Sequence, residues 1–301
     1  MSLTEGIHEI GETEYHADPA LQPSLSSSIA RLLLDQSPRH AWTAHPRLNK
    51  RHEPEESGIF DIGSAAHRVV LGKGADLSII EADSYRTKAA QEARDKARAD
   101  GKIPVLTEQF EGIVAMHQAC RAQLSGHEEA AGAFTNGQPE VTLIWREGDV
   151  WCRCRLDWLP KDRVFFDDYK TTTDASPEAV VRSVFGNGYD VQAAFYRRGI
   201  RKILAVHSPQ FRFIVQEKTA PYALTVAALT PAALDMADRK VDAALALWSQ
   251  CMKANQWPGY PGRTVYVEPP AWHEKQWLER EERDQQHGVD INRMMHWQAP
   301  L

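Results

Sequence analysis

The spacing of apolar residues changes along the chain, from a helical period to a period of two and back again. Ile29, Leu32 and Leu33 predict a short helix to about Leu34, capped by Ser26 or Ser27 and ended by Pro38. From Ile59 the run IFDIGSAAHRVVLG is helical, with Gly63, His67 and Leu71 at i, i+4 and i+8. Small residues around Gly63 let that helix approach a neighbour closely. A third amphipathic helix runs from a Thr107 cap to about Leu124, with Phe110, Ile113, Val114 and His117 on its inner side. The period then shortens. Glu140 opens the strand EVTLIW, and WCRCRLDWLPKDRVFFDDYKTTT (151–173) predicts a hairpin of two strands joined by a polar turn. In its first strand Cys152, Cys154, Leu156 and Trp158 alternate with Arg153, Arg155 and Asp157. In its second, from Val164 to about Thr171, Val164, Phe166, Asp168 and Lys170 share one face.

Helical spacing returns after Ser176-Pro177, a cap and a first-turn proline. Gly186-Asn187-Gly188 interrupts it, and a second helix runs from about Tyr189 to Ile200. FRFIVQEK (211–218) and YALTVAAL (222–229) predict strands, and Thr230-Pro231 opens a long helix to about Met252. A charged helix-like piece covers Trp272 to about Gln286. The order is helices, a strand cluster, then helix, strands and helix, which predicts an α/β or α+β core with a mostly helical N-terminal part. The partition is an N-terminal arm (1–24), a main domain (25–262) and a C-terminal extension (263–301). RHEPEESG (51–58) reads as a charged linker.

Composition narrows the class. The 301 residues allow one large domain or two modest ones, and 43% hydrophobic content supports a real core. No apolar run approaches the roughly 20 residues a membrane span needs, so no membrane partner is expected. The acidic N-terminus lacks the apolar core of a signal peptide. Four cysteines without a CxxC pair argue against a disulfide scaffold and against a zinc or iron–sulfur knuckle, and a reducing cytoplasm fits best. The net charge of −6 excludes a protein coated in positive charge, such as a packaging factor, but not a nucleic-acid enzyme. In residues 84–102 six Lys or Arg stand against three Asp or Glu, which suits a basic wall for DNA or a solvated helix face.

The candidate chemistry lies in the predicted hairpin. It would bring Asp157 close to Asp168 and Lys170, so that two carboxylates and an ammonium converge. Such an oxygen-rich site suits Mg²⁺ or Mn²⁺. The lysine would hold an attacking water or steady a phosphate. A surface ion pair is the alternative reading. His67, taken alone, reads as a hydrogen-bonded core histidine. Gln192 and Tyr196 share a helix face that ends in Arg197, Arg198, Arg201 and Lys202. That basic end suits a phosphate backbone or an ordinary solvated helix terminus.

GSAAH (63–67), Glu140, LD (156–157), DYKTT (168–172) and QAAFY (192–196) together resemble a PD-(D/E)XK nuclease. More narrowly, with LSSSIARLLLDQSPRHAW, FDIGSAAH and QWPGY, the chain resembles RecE-type (exodeoxyribonuclease VIII-like) phage and prophage exonucleases, themselves similar to the RecB nuclease domain. The resemblance runs from about Ser26 to Tyr260. It implies a restriction-endonuclease-like α/β core with helical N-terminal additions. It implies Asp157 as first carboxylate (Leu156 stands where the superfamily has proline), Asp168 as second, and Lys170 as the motif lysine. Glu140 and His67 become metal-site residues. Gln192 and Tyr196 become the QxxxY element near the scissile phosphate. The implied activity is a Mg²⁺- or Mn²⁺-dependent 5′-to-3′ exonuclease on linear double-stranded DNA in phage-type recombination. The implied partners are DNA ends, further copies in a homo-oligomer and a single-strand annealing protein. Other readings are an endonuclease or repair nuclease of the same fold, and a DNA-binding protein that kept the fold without cleavage. Cys120, Cys152, Cys154 and Cys251 lack the spacing with which some RecB-like relatives hold an iron–sulfur cluster, so none is expected.

Overall fold

The computed structural model describes residues 2–52 and 60–288. The chain opens with β1 (Gly6–His8), α1 (Glu12–His16) and α2 (Ser27–Asp35). Ser26 Oγ accepts from the N–H of Ile29 at 3.4 Å and so satisfies one of the donors that a helix start leaves free. Pro38 does more than end α2. It is the first residue of α3 (Pro38–Ala44), where its missing N–H costs nothing. The predicted linker at 51–58 lies largely outside the described residues.

α4 (Phe60–Leu71), β2 (Leu77–Ile80), α5 (Lys88–Ala99), β3 (Ile103–Leu106) and α6 (Thr107–Ser125) follow. β2 and β3 pair in parallel, a unit that their short apolar runs did not disclose. Thr107 is the first helical residue of α6, not its cap. The cap is Leu106, whose N–H donates to Gln109 Oε1 at 2.9 Å. The buried line of α6 is Ile113, Met116, Cys120 and Leu124, while Phe110, Val114 and His117 stay partly exposed.

The core strands are β4 (Gly137–Glu147), β5 (Val150–Pro160) and β6 (Phe165–Thr172), then α7 (Pro177–Gly186), α8 (Tyr189–Leu204), β7 (Gln210–Glu217), β8 (Leu224–Ala228) and α9 (Pro231–Ala254). β4 therefore starts three residues before Glu140. The predicted hairpin of β5 with β6 is replaced by another pairing. β5 pairs with β4, giving the order β1-β4-β5, and β6 pairs in parallel with β7, giving β6-β7-β8. A parallel pair needs a long crossover, and α7 with α8 supplies it. The architecture is mixed α/β, a β-sheet core flanked by helices.

Residues 2–24 are built into this core. β1 extends the β4–β5 sheet at its edge. Asp18, buried, takes Ser24 Oγ–H at 2.5 Å and faces Arg153 Nη1 at 3.1 Å and His45 Nε2 at 3.3 Å. Arg153 is itself buried and donates to Ser24 O at 2.7 Å. Its charge is thus neutralised within the fold, which is how an arginine comes to lie inside β5.

The main apolar cluster lies where α2, α8 and α9 cover the β4–β5 sheet. Trp145 on β4 is fully buried and packs on Phe195 of α8 with ring centroids 5.0 Å apart. A Cβ at Gly199 would stand 2.8 Å from the Trp145 ring, so the absence of a side chain there sets how near α8 comes to the sheet. A second cluster, between α4, α6 and the β6–β7 strands, holds Ala65, Ala66, Tyr169 and Ile214.

The chain divides into two compact units, Met1–Gly259 and Tyr260–Leu301. The second contains α10 (Ala271–His287). Among the described residues no helix is long and apolar enough to cross a membrane.

Candidate active site

α4, β4, β5, β6 and α8 each deliver polar side chains to the same place. Strand parity puts Asp168 and Lys170 on one face of β6, and Lys170 Nζ pairs with Asp168 Oδ1. Asp167 points the other way, where the Arg212 guanidinium grips it through Nε at 2.7 Å and Nη2 at 3.0 Å. From α8, Gln192 Nε2 donates to Asp168 Oδ2 at 2.7 Å. From β5, Asp157 Oδ2 accepts the backbone N–H of Tyr169 at 2.8 Å.

His67 stands between two acids. Its Nε2 lies 3.1 Å from Asp157 Oδ2 and its Nδ1 3.7 Å from Glu140 Oε1. Glu140 faces Arg155 Nη2 at 3.5 Å, and the same nitrogen is 3.7 Å from Glu12 on α1. Glu140 has a left-handed backbone, φ +52°, which is uncommon for a residue with a side chain. The β4–β5 ladder runs through Pro139↔Trp158 and Val141↔Leu156, and Glu140 falls between them, across from Asp157. The ladder is broken at the one step where both strands carry a site carboxylate. Sparsely populated backbone of this kind costs on the order of 1–3 kcal/mol and is common at functional sites.

Burial and charge set the protonation of the group. Burial pushes Asp157 up, but the charge and hydrogen bond of His67, the Lys170 charge and the Tyr169 N–H outweigh it and hold the carboxyl low. Asp168 goes the other way: burial and the neighbouring Asp157 charge raise it, against Lys170 and His67. His67 is raised; burial opposes its charge, and Asp157, Glu140 and Asp168 together overcome burial. Lys170 is raised too, burial being outweighed by Asp168 and Asp157. Its ammonium sits 5.2 Å above the Tyr189 ring, which stacks on Phe213. The group therefore combines three carboxylates with one ammonium, one imidazole and the Arg155 guanidinium.

Tyr196, one turn beyond Gln192, is buried with its ring edge against Phe211. Its hydroxyl is held far above its usual range, by burial first and then by acidic neighbours that include Asp168 and Asp157. Of the basic residues that end α8, two are taken up inside the fold, contrary to the expectation of a free basic end. Arg197 is buried and donates through Nε to Pro209 O at 3.0 Å. Arg198 pairs with Asp238 at 3.0 Å and Asp242 at 2.7 Å on α9. Arg201 is half-buried and Lys202 exposed. Arg155 and Glu12 were missed by sequence reasoning. Arg155 had a signal, since it precedes Asp157 by two residues on the same strand face, whereas Glu12 had none.

The donor chemistry fits a hard divalent cation: carboxylate oxygens predominate, and Asp168 is buried in the field of a second carboxylate. The acids are at present paired with His67, Lys170 and Arg155. Among the described residues no three His, Cys, Asp or Glu side chains form a ready metal-binding group. The four cysteines are buried free thiols, with Cys120 in a different apolar cluster from Cys152 and Cys154.

The fold is PD-(D/E)XK-like. The chain belongs to the family described as PDDEXK-like domain of unknown function (DUF3799), whose pattern matches residues 26–270. Among solved structures it is similar to a candidate exonuclease from Eubacterium rectale, at 14% identity and a TM-score of 0.56, over 89% of this chain and 98% of that one. At that identity the likeness is one of fold. Another, SSO0001, aligns at 12% identity and a TM-score of 0.27, over 65% of this chain and 79% of that one. No curated protein sequence matches the chain.

Proposed function

We propose that the protein is a divalent-metal-dependent deoxyribonuclease that hydrolyses phosphodiester bonds at the Asp157–Asp168–Lys170 site. The observation that carries this reading is the meeting of those three side chains from β5 and β6, with His67 and Glu140 beside them. Asp157, Asp168 and Glu140 would hold the cation, with His67 at its edge. Bound there, Mg²⁺ or Mn²⁺ would supply acidity to water and offset charge at phosphorus. Lys170, fixed between Asp168 and the Tyr189 ring, would orient the attacking water or hold a non-bridging phosphate oxygen. Gln192 fixes the direction of the Asp168 carboxylate. Tyr196 supports that helix face from beneath, and Arg201 with Lys202 remain the candidates on α8 for the DNA backbone.

The finer reading is a 5′-to-3′ exonuclease on linear duplex DNA, of the RecE type used in phage recombination. It is supported by the order of GSAAH, Glu140, LD, DYKTT and QAAFY, and the fold likeness to a candidate exonuclease agrees with it. A homo-oligomer and an annealing partner belong to the same reading. The test uses linear duplexes labelled at the 5′ or the 3′ end, and a closed circle, each with Mg²⁺. Early release of the 5′ label with the circle left intact is expected. Opening of the circle would replace the exonuclease by an endonuclease. No cleavage with any divalent cation would leave only a DNA-binding reading.

A further inference from the structure

A pocket of about 400 Å³ opens beside the acid cluster, bordered by His67 and Glu140. Four cationic side chains also line it, from three parts of the chain: Arg68 on α4 with Lys73 in the following turn, Arg155 on β5, and Lys218 just after β7. Arg68 and Lys73 are near neighbours at the end of α4, and folding brings Arg155 and Lys218 to them from distant parts of the chain. The opposing charges are Glu140 and Glu12 within the pocket and Asp76, which pairs with Arg68 at 3.4 Å. Four cations against three carboxylates leave the wall positive, although the protein as a whole carries −6.

The donors there are not used up. Arg155 Nη2 serves Glu140 and Glu12, while its Nη1 is buried without a hydrogen-bond acceptor. Lys73 Nζ donates to Pro139 O at 3.3 Å, which leaves two of its three N–H groups for other acceptors. Gly74, at φ +125°, keeps the wall thin. A Cβ there would stand 3.7 Å from Glu140 Oε1 and 3.4 Å from the Arg68 side chain. A fork-shaped guanidinium with ammonium groups around it suits a phosphate, whose several oxygens accept from more than one donor.

We propose that this pocket is a phosphate subsite, holding the nucleic-acid phosphate next to the one that is cleaved. It rests on the nuclease reading, since His67 and Glu140 belong to both the pocket wall and the acid cluster. The subsite would fix the strand's register relative to Asp157 and Asp168 without reading bases. Its occupant is a phosphate on a strand of DNA, and no residue assigned to catalysis above supplies its lysines.

The probe is 5′-phosphorylated dithymidine, compared with the same dinucleotide lacking the 5′-phosphate, titrated calorimetrically into the protein with EDTA at low salt. Lys73→Ala/Lys218→Ala removes two charges at the surface, and Arg155→Lys keeps a charge but loses the fork. Tighter binding of the phosphorylated form by wild type is expected, with a loss of about tenfold in the double lysine variant, as for hydrogen bonds to a charged group. Arg155→Lys should weaken binding as well. Equal affinity for both dinucleotides, or unchanged affinity in the double lysine variant, overturns the subsite. Cleavage of labelled duplex by wild type is measured in parallel. Cleavage together with unaltered dinucleotide binding in the lysine variant removes the subsite alone. No cleavage removes the nuclease reading, and with it the assignment of the pocket.

Discussion

The Asp157 carboxylate accepts the backbone N–H of Tyr169, and this bond links two strands that share no ladder. β5 belongs to one three-stranded sheet and β6 to another. The same Asp157 oxygen also faces His67. One atom therefore serves both the seam between sheets and the candidate site.

Two substitutions at Asp157 separate these roles. Asp157→Asn keeps an oxygen for the Tyr169 N–H and should fold with near-normal stability, yet lose metal-dependent cleavage. Asp157→Ala leaves a part-buried N–H unpaired and should in addition lose about 1–3 kcal/mol. Urea denaturation and a cleavage assay on both variants check this. An Asp157→Asn protein that cleaves like wild type would remove the residue from the chemistry.

Lys170 is held from two sides, by Asp168 and by the Tyr189 ring. Lys170→Ala should lower the single-turnover cleavage rate at saturating DNA by about 10²–10⁴-fold. Tyr189→Leu should lower it only about twofold to fivefold, the worth of a modest cation–π contact, and Tyr189→Phe hardly at all. Duplex affinity should hold in the Tyr189 variants. If Lys170→Ala lost stability but kept its single-turnover rate, the lysine would be a structural partner of Asp168 and nothing more.

The two halves of the basic end of α8 should behave differently. Arg198→Ala breaks contacts to Asp238 and Asp242 and should cost about 1–3 kcal/mol of stability, with little change in the salt dependence of DNA binding. Arg201→Ala/Lys202→Ala should leave stability nearly intact and reduce the salt slope by about two units if both residues contact phosphate. Duplex affinity across a salt series with Ca²⁺ in place of Mg²⁺ reads this out. An unchanged slope in the second variant would take the helix end off the DNA path.

The buried Asp18 predicts a pH dependence. Burial raises its carboxyl, but the hydrogen bond with His45, the Arg153 charge and the Ser24 donors outweigh that, so its folded pKa lies below the ordinary value. A depressed carboxyl contributes stability above its unfolded pKa, about 3.9, and loses it as pH falls through the folded pKa. Asp18→Asn should cost about 3–5 kcal/mol at pH 7, because Arg153 is left with a buried, unmatched charge. The gap between wild type and variant should narrow as pH drops below about 4. Denaturation curves at pH 7, 5 and 3.5 test it, and a constant gap would contradict the assignment.

What the sequence disclosed and what it hid follow one physical division. Period-two spacing put Asp168 and Lys170 on one side of β6, and the structure turns Asp167 to the other, onto Arg212. Capping chemistry located the starts of α7 and α9 at Ser176 and Thr230, and left that of α2 between Ser26 and Ser27, of which Ser26 is the cap. The partner of β6 was not legible. Two alternating strands joined by a polar turn have the same pattern whether they pair or part. β5 instead closes a tight hairpin with β4 through Gly148-Asp149, whereas β6 takes β7 from beyond α7 and α8, a choice made by long-range packing. The partners of Arg197 and Arg198 lie beyond α8, on Pro209 and on α9, so charge clustering alone made that end look free. Glu12 and Tyr15 reach the neighbourhood of Arg155 only through the folded chain.

The contact of Gly199 with Trp145 couples two positions that are far apart in sequence. Any side chain at 199 would push α8 off the sheet, and Gln192, seven residues earlier on the same rigid rod, would be drawn away from Asp168. Relatives with alanine or serine at 199 should therefore carry a smaller residue at 145. In this fold the bulk of one tryptophan and the reach of one glutamine would have to evolve together.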